Sequence, residues 1–151
     1  MCQEDSLELL FLLPIFLPLF TALFLFLNKN LFNEPLTNFF TINSALLSFA
    51  ISSFVFVTLV LDKFQPIDYS IFQWTNTPDI KIGFTLDGLS GIMLLLVTGL
   101  SFVIQFFSTS YMEKDEKYNN YFIYFNFFVF SMLLLVMSSN FLVMFFGWEL
   151  V

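Results

Sequence analysis

Histidine and arginine are absent from the sequence, and cysteine occurs once, at Cys2. A lone cysteine cannot form a disulfide within the chain, and without histidine the carboxylates cannot complete an ordinary zinc site. Five lysines stand against twelve acidic residues, which gives a net charge of −7 and offers no basic surface for phosphates. The sequence therefore predicts no metal site, no redox centre and no binding to nucleic acid.

Charged residues of either sign are also scarce. They make up 11% of the 151 positions, whereas 58% are hydrophobic and the mean hydropathy is +0.86. Most of the apolar runs approach the roughly 20 residues that a helix needs to cross a bilayer. We therefore expect an all-α integral membrane protein that forms a single membrane region over residues 1–151, with four transmembrane helices and the first half of a fifth. The expected spans are 7–27, 39–61, 86–107, 121–137 and the incomplete 141–151.

One long polar stretch, residues 62–83, separates the second and third spans. Residues 75–79 within it have turn chemistry, because Asn and Asp support local turns and Pro fixes a backbone angle. On either side of this turn, apolar residues recur at the spacing of a strand. We therefore expect a small extramembrane β-hairpin between helices 2 and 3. The residues at strand-like spacing are Tyr69, Ile71, Ile80, Ile82 and Phe84.

The first two spans carry helix-breaking and small polar residues at helical spacing. Pro14 and Pro18 lie four residues apart on one face of the first span. They predict a bend, with the freed carbonyls satisfied by neighbouring helices or side chains. Ser44, Ser48 and Ser52 repeat every four residues in the second span and predict close packing of another helix.

Polar residues in the third span follow three-four-three spacing, at Thr98, Ser101, Gln105 and Ser108, so that all four face one way. We call these four residues the polar seam. It either hydrogen-bonds to adjacent helices or borders a water-filled path, and the common use of such residues in packing favours the first alternative. Asp87 stands at the start of the same span, where we expect it to cap the helix, with pairing to a partner as the alternative.

Glu149 is the only acidic residue deep within an expected span. At helical rise it lies about 13 Å beyond Asn140, near the middle of a hydrocarbon core about 30 Å thick. Burial there disfavours the charged carboxylate and a nearby cation favours it, so exchange of a lysine partner could make Glu149 a proton relay. The alternatives are a permanently neutral Glu149 bonded to a neighbouring helix, or an exposed one at a frayed chain end. All five lysines fall in loops, so we expect the lysine partner outside this chain.

Residues 138–149, which end in Gly147-Trp148-Glu149, resemble the start of the fifth helix in subunit 5 of mitochondrial NADH:ubiquinone oxidoreductase, or complex I, an antiporter-like subunit. Residues 84–90 are similar to the start of the third helix of that family, and residues 107–112 to its end. The resemblance covers most of this chain but a third or less of a complete subunit.

The resemblance implies a part of the proton-translocating membrane arm of complex I, where NADH:ubiquinone electron transfer is coupled to proton pumping in the mitochondrial inner membrane. It also implies that Glu149 is the glutamate that pairs with a lysine on a later, broken helix. The implied partners are other membrane-arm subunits and lipids. Because the sequence ends inside the fifth span, we also expect a separately encoded C-terminal part of the subunit as a partner. No cofactor is expected on this chain, because FMN, the iron–sulfur clusters and quinone belong to other subunits. The alternatives are a subunit of a cation/proton antiporter and a purely structural membrane scaffold.

The lysine positions bear on the topology. Lys29, Lys114 and Lys117 follow odd-numbered spans, and Lys63 and Lys81 follow an even-numbered one. Lysines prefer the matrix or cytoplasmic side of a membrane. The excess of one lysine therefore predicts that the N-terminus and the hairpin lie on the outer, intermembrane-space side.

Overall fold

The computed structural model describes residues 4–29, 31–61, 63–76 and 79–151. Over these residues four helices are long and apolar enough to cross a membrane, and a fifth is shorter. The predicted class, a helical membrane protein with a small hairpin, is confirmed. The elements in chain order are α1 (Glu4–Leu27), α2 (Glu34–Leu61), β1 (Ile67–Asn76), β2 (Asp79–Leu86), α3 (Gly88–Tyr111), α4 (Tyr118–Val136) and α5 (Phe141–Leu150).

The four long helices form an antiparallel bundle with two distinct ends. The hairpin end carries the sheet and the start of α1, where the rings of Phe11 and Tyr69 meet edge to face at 6.4 Å. At the loop end the α1–α2 connection meets the start of α4. There Asn119 accepts a hydrogen bond from Thr37 Oγ1 at 2.8 Å and donates one to the carbonyl of Phe32 at 2.9 Å.

The sheet is a hairpin in which β1 and β2 pair antiparallel, from Ile67 opposite Leu86 to Asn76 opposite Asp79. Thr77 and Pro78, at the tip of the predicted turn, lie outside the described residues. The α4–α5 turn covers the other edge of β2. Thr85 N donates to the carbonyl of Met137 at 2.9 Å, and a second bond of 3.2 Å joins this turn to the carbonyl of Gly83. The start of α5 is therefore attached to the hairpin.

Ser48 donates a hydrogen bond to a backbone carbonyl that a proline leaves unpaired in α1. Pro18 has no N–H to donate to the carbonyl of Pro14, one turn earlier. Ser48 Oγ donates to that carbonyl instead, at 3.1 Å in a buried site. One turn away, Thr21 donates to Ser44 Oγ at 2.7 Å. The serine stripe of α2 therefore packs against α1 and satisfies a freed carbonyl, as the sequence predicted.

The interior of the bundle is divided along its length. The hairpin-end half holds the main apolar core, and a smaller apolar cluster lies between α1 and α4 at the loop end. Most of the buried polar side chains lie in the loop-end half. The main core comprises Phe11, Ile15, Val55, Leu59, Phe84, Leu86, Leu94, Val97, Val129, Leu133 and Met137; the buried polar residues of the loop-end half include Thr37, Thr41, Ser44, Ser48, Ser101, Gln105, Ser108 and Asn126.

Candidate functional site

The helix that carries Glu149 begins at a capped and anchored position. Asn140 Oδ1 accepts a hydrogen bond from Val143 N at 3.0 Å, which satisfies one of the free N–H groups of the first turn. Asn140 Nδ2 donates to the carbonyl of Lys81 on β2. One side chain therefore caps α5 and ties its start to the hairpin.

Gly147 sets how closely α5 lies against α4. A Cβ at this position would stand 2.7 Å from the backbone nitrogen of Leu135 and 2.8 Å from its Cα. Only glycine therefore allows the two backbones to approach this closely, in the manner of small residues at membrane helix interfaces. Gly147 and Val143 are the buried residues of α5.

Glu149 lies on the opposite side of α5 from this contact. Two helical residues turn the side chain by about 200°, so Glu149 faces away from α4, and it is exposed. The exposed surface around it is apolar, since Phe145, Trp148 and Leu150 are exposed as well. Helix α5 therefore presents a single carboxylate on an otherwise apolar surface.

The lysines lie in the connections and on the hairpin, at the two ends of the bundle. Within the described part of the chain no lysine is placed along a membrane-spanning helix beside Glu149. A lysine that pairs with Glu149 within the membrane therefore has to come from outside these residues.

All four residues of the polar seam are buried. Thr98 and Ser101 donate to carbonyls of their own helix, one turn earlier, at 2.8 Å and 2.6 Å. Gln105 and Ser108 instead bond to α4. The structure thus places the seam inside the bundle, where half of its members join two helices.

Two hydrogen bonds join the polar seam to α4, about one helical turn apart along α3. Gln105 Nε2 donates to Asn126 Oδ1 at 3.3 Å, and the hydroxyls of Ser108 and Tyr121 lie 2.9 Å apart. The seam faces α4 from α3, whereas Glu149 points away from α4 on α5. The structure therefore does not bring the seam and Glu149 together into one site.

Asp87 caps α3. Its carboxylate accepts a 2.7 Å bond from Ser90 N, and Ser90 Oγ accepts a 2.7 Å bond from Asp87 N, which together form a capping box. The hydrogen bonds from the Ser90 backbone and side chain hold the pKa of Asp87, which precedes the first residue of α3, below its ordinary range. The geometry gives Asp87 a role in fixing the start of the helix.

Sequence reasoning did not identify the α4 residues that meet the seam and the α1–α2 connection. Asn119 and Asn126 are seven residues apart, so they share one face of α4. That spacing was a readable signal for a polar contact surface on α4. The close approach at Gly147 had no such signal, because the neighbour it accommodates is backbone.

Comparison with known proteins relates this fold to one family. The sequence profile of the family described as NADH-ubiquinone oxidoreductase (complex I), chain 5 N-terminus, matches residues 73–122. NADH-quinone oxidoreductase subunit L of Buchnera aphidicola subsp. Schizaphis graminum is 38% identical over 146 residues, which cover 95% of this chain and 24% of the relative. The same subunit of Escherichia coli K12 is 34% identical over 139 residues, or 91% of this chain and 23% of the relative.

A plastid relative and a solved structure extend the comparison. NAD(P)H-quinone oxidoreductase subunit 5, chloroplastic, of Anthoceros angustus is 37% identical over 114 residues, or 72% of this chain and 15% of the relative. A chain of the membrane-bound sulfane sulfur reductase, an archaeal respiratory membrane complex, shares the fold with a TM-score of 0.81 and 22% identity, over 95% of this chain and 28% of that one. This chain thus spans at most about a quarter of the length of these curated relatives.

Proposed function

Because this chain belongs to the antiporter-like family of complex I chain 5 and subunit L, whose N-terminal part it matches, we propose that it forms part of the proton-translocating membrane arm of a respiratory complex I. There the transfer of electrons from NADH to ubiquinone is coupled to the movement of protons. In this proposal Glu149 is the residue of the described chain that takes part in the proton relay.

The observation that carries the proposal is the placement of Glu149. The helix is continuous from Phe141 to Leu150, so the carboxylate lies about 13 Å beyond Asn140 along the axis. In this proposal Asn140 marks the edge of a hydrocarbon core about 30 Å thick, which puts Glu149 near its middle. An acidic residue at the centre of a membrane helix costs about 2.5–3.5 kcal/mol on insertion scales and is functional by default.

The relay requires groups beyond the described residues. A lysine near the membrane centre comes, in this proposal, from the remainder of the subunit, whether that remainder is encoded separately or in the same polypeptide. Other membrane-arm subunits and lipids cover the apolar surfaces of the bundle. FMN, the iron–sulfur clusters and ubiquinone are assigned to other subunits of the complex.

We assign the complex to the mitochondrial inner membrane. The composition supports this assignment, since phenylalanine occurs 25 times and arginine is absent, as an AT-rich organellar coding sequence favours. The excess of lysines at the loop end supports an orientation in which the hairpin end faces the intermembrane space.

The test is the replacement Glu149→Gln, which removes the titratable carboxyl group and keeps the shape of the side chain. The complex should still assemble and oxidise NADH, and the number of protons pumped per electron should fall. The matched control is Glu113→Gln, because Glu113 is exposed in the α3–α4 connection and its replacement should leave pumping unchanged.

Two other outcomes would contradict the proposal. Normal assembly of Glu149→Gln with unchanged pumping would identify the chain as a structural scaffold. Purification of the chain with a sodium-dependent exchange activity, in an assembly that oxidises no NADH, would identify a cation/proton antiporter.

A further inference from the structure

The buried amide of Gln105 is only half satisfied. The side chain is 1% exposed, and its Nε2 donates to Asn126 Oδ1 at 3.3 Å. Within the described residues no group donates a hydrogen bond to Gln105 Oε1. A buried acceptor without a donor is costly, and such groups in proteins normally have a partner, often an internal water molecule.

Exchanging the nitrogen and oxygen of the Gln105 amide does not give every polar atom of the side chain a hydrogen-bond partner. Asn126 Nδ2 already donates to the carbonyl of Phe122 at 2.8 Å, in a buried site, which fixes Asn126 Oδ1 as the atom that faces Gln105. Turning the Gln105 amide over would set two oxygens against each other and would leave its NH₂ group unpaired. Either orientation leaves one polar end of Gln105 in need of a partner.

The neighbouring helix α2 provides a small side chain at this level. Phe49 packs against Gly99, and Leu59 packs against Gly91, which fixes the antiparallel register of α2 and α3. In this register Ala45 lies at the level of Gln105. Ala45 is buried.

The two directions away from Gln105 differ in polarity. Toward the hairpin end the interior is closed by the main apolar core, which includes Leu94 and Val97 on α3. Toward the loop end, hydrogen-bonding groups continue with the Ser108–Tyr121 pair. At the loop end, an open surface pocket of about 450 Å³ is lined by Phe32, Asn33, Glu34, Pro35, Asp115, Glu116, Tyr118 and Asn119.

From this arrangement we propose that the space around Gln105 is an internal water-binding site. At least one water molecule donates to Gln105 Oε1, and it exchanges with bulk water through the loop end and not through the hairpin end. The site is formed by α2, α3 and α4, so it does not depend on the role of Glu149.

Silver-ion labelling of single cysteines in native membranes tests the proposal. Ag⁺ blocks thiolates that water reaches, and a later fluorescent maleimide then reports the cysteines that stayed free. In a Cys2→Ser background, Ser101→Cys should be blocked roughly ten-fold faster than Val97→Cys, because the thiolate needs a hydrated environment to form. Ser101 and Val97 lie one turn apart and are both buried, so they form a matched pair.

The side of access is the second readout. Ser101→Cys should be blocked when Ag⁺ is added on the face that carries the loop end, and should be protected when Ag⁺ is added on the other face. Equal and slow blocking of the two cysteines would contradict a hydrated site, and faster blocking from the hairpin end would contradict the proposed route.

Removal of the unpaired oxygen links the reactivity to Gln105 itself. Adding Gln105→Met to the Ser101→Cys variant keeps a long side chain without an amide, and blocking by Ag⁺ should slow to the rate of Val97→Cys. Unchanged blocking in an assembled complex would overturn the assignment. If this double variant does not assemble, the comparison of Ser101→Cys with Val97→Cys still tests the proposed water site, because both of those variants keep Gln105.

Discussion

Single side chains fix where the spans begin, and Asp87 shows how. Its carboxylate accepts the hydrogen bond of Ser90 N, so Asp87→Ala should destabilise the protein by about 1 kcal/mol, as expected for the loss of a helix cap. Asp87→Asn keeps an acceptor oxygen but not the charge, so at neutral pH it should lose less than Asp87→Ala. Thermal unfolding of the purified complex, followed through its Tm, measures both variants.

The pH dependence of stability shows how much of the effect of Asp87 comes from its charge and how much from its hydrogen bonds. Because the pKa of Asp87 is lowered in the folded protein, the carboxylate contributes stability above the ordinary aspartate pKa of about 3.9. That contribution is lost as the pH falls through the lowered value. Asp87→Asn should therefore lack this loss, and an identical decline in the two proteins would contradict the assignment.

The residue scale also shows what spacing can and cannot predict. The three-four-three spacing placed Thr98, Ser101, Gln105 and Ser108 on one buried face, and the structure places them there. Spacing does not choose partners, however. Hydroxyls reach the carbonyls one turn back in their own helix, as Thr98 and Ser101 do, whereas the longer Gln105 side chain reaches across to α4.

Among the elements, α5 depends on one glycine for its position. Gly147→Ala would place a Cβ 2.7 Å from the backbone nitrogen of Leu135, so α5 has to move away from α4. Overpacking of this kind typically costs 1–3 kcal/mol, and we expect about that loss. We also expect less assembled complex and fewer protons pumped per electron, since the position of Glu149 changes. Blue-native gels and pumping assays measure these effects.

Gly99→Ala is the matched control for Gly147→Ala. A Cβ at Gly99 would meet the outer edge of the Phe49 ring at 3.1 Å, and a ring edge can move by a few tenths of an ångström where a backbone cannot. Gly99→Ala should therefore assemble and pump close to normally. Equal damage from both substitutions would mean that the backbone contact with Leu135 is not the cause.

The helices and strands were predictable from local sequence patterns, whereas contacts between distant elements were not. The apolar runs and the strand-like spacing predicted the helices and the hairpin, because each pattern lies within one segment of the chain. The docking of the α4–α5 turn on β2, through Thr85 and Met137, joins residues about fifty positions apart. No periodicity records such a contact, so it became visible only in three dimensions.

At the scale of the whole molecule, the hairpin end and the loop end of the bundle differ in two respects. Its interior is apolar toward the hairpin end and carries most of its buried polar side chains toward the loop end. Its lysines are also unequal, with Lys29, Lys114 and Lys117 in the loop-end connections and Lys63 and Lys81 at the hairpin end. The sequence predicted the second feature but not the first, because the division of the interior depends on which helix faces meet.

The lysine count predicts how the bundle sits in the membrane. Glu116 is exposed at the loop end and Ser70 at the hairpin end, so cysteines at these two positions report the two faces. In a Cys2→Ser background, Glu116→Cys should react with a membrane-impermeant maleimide only from the matrix side. Ser70→Cys should react only from the intermembrane-space side, in intact mitochondria with a permeabilised outer membrane.

This orientation would also set which compartment supplies water to Gln105. If the loop end faces the matrix, the proposed water route opens there, and the apolar core closes the interior toward the intermembrane space. The maleimide experiment and the Ag⁺ experiment would then agree, with Glu116→Cys and Ser101→Cys reached from the same side. Labelling of Ser70→Cys from the matrix would reverse the topology, because three lysines against two is a bias that other parts of the subunit can outweigh.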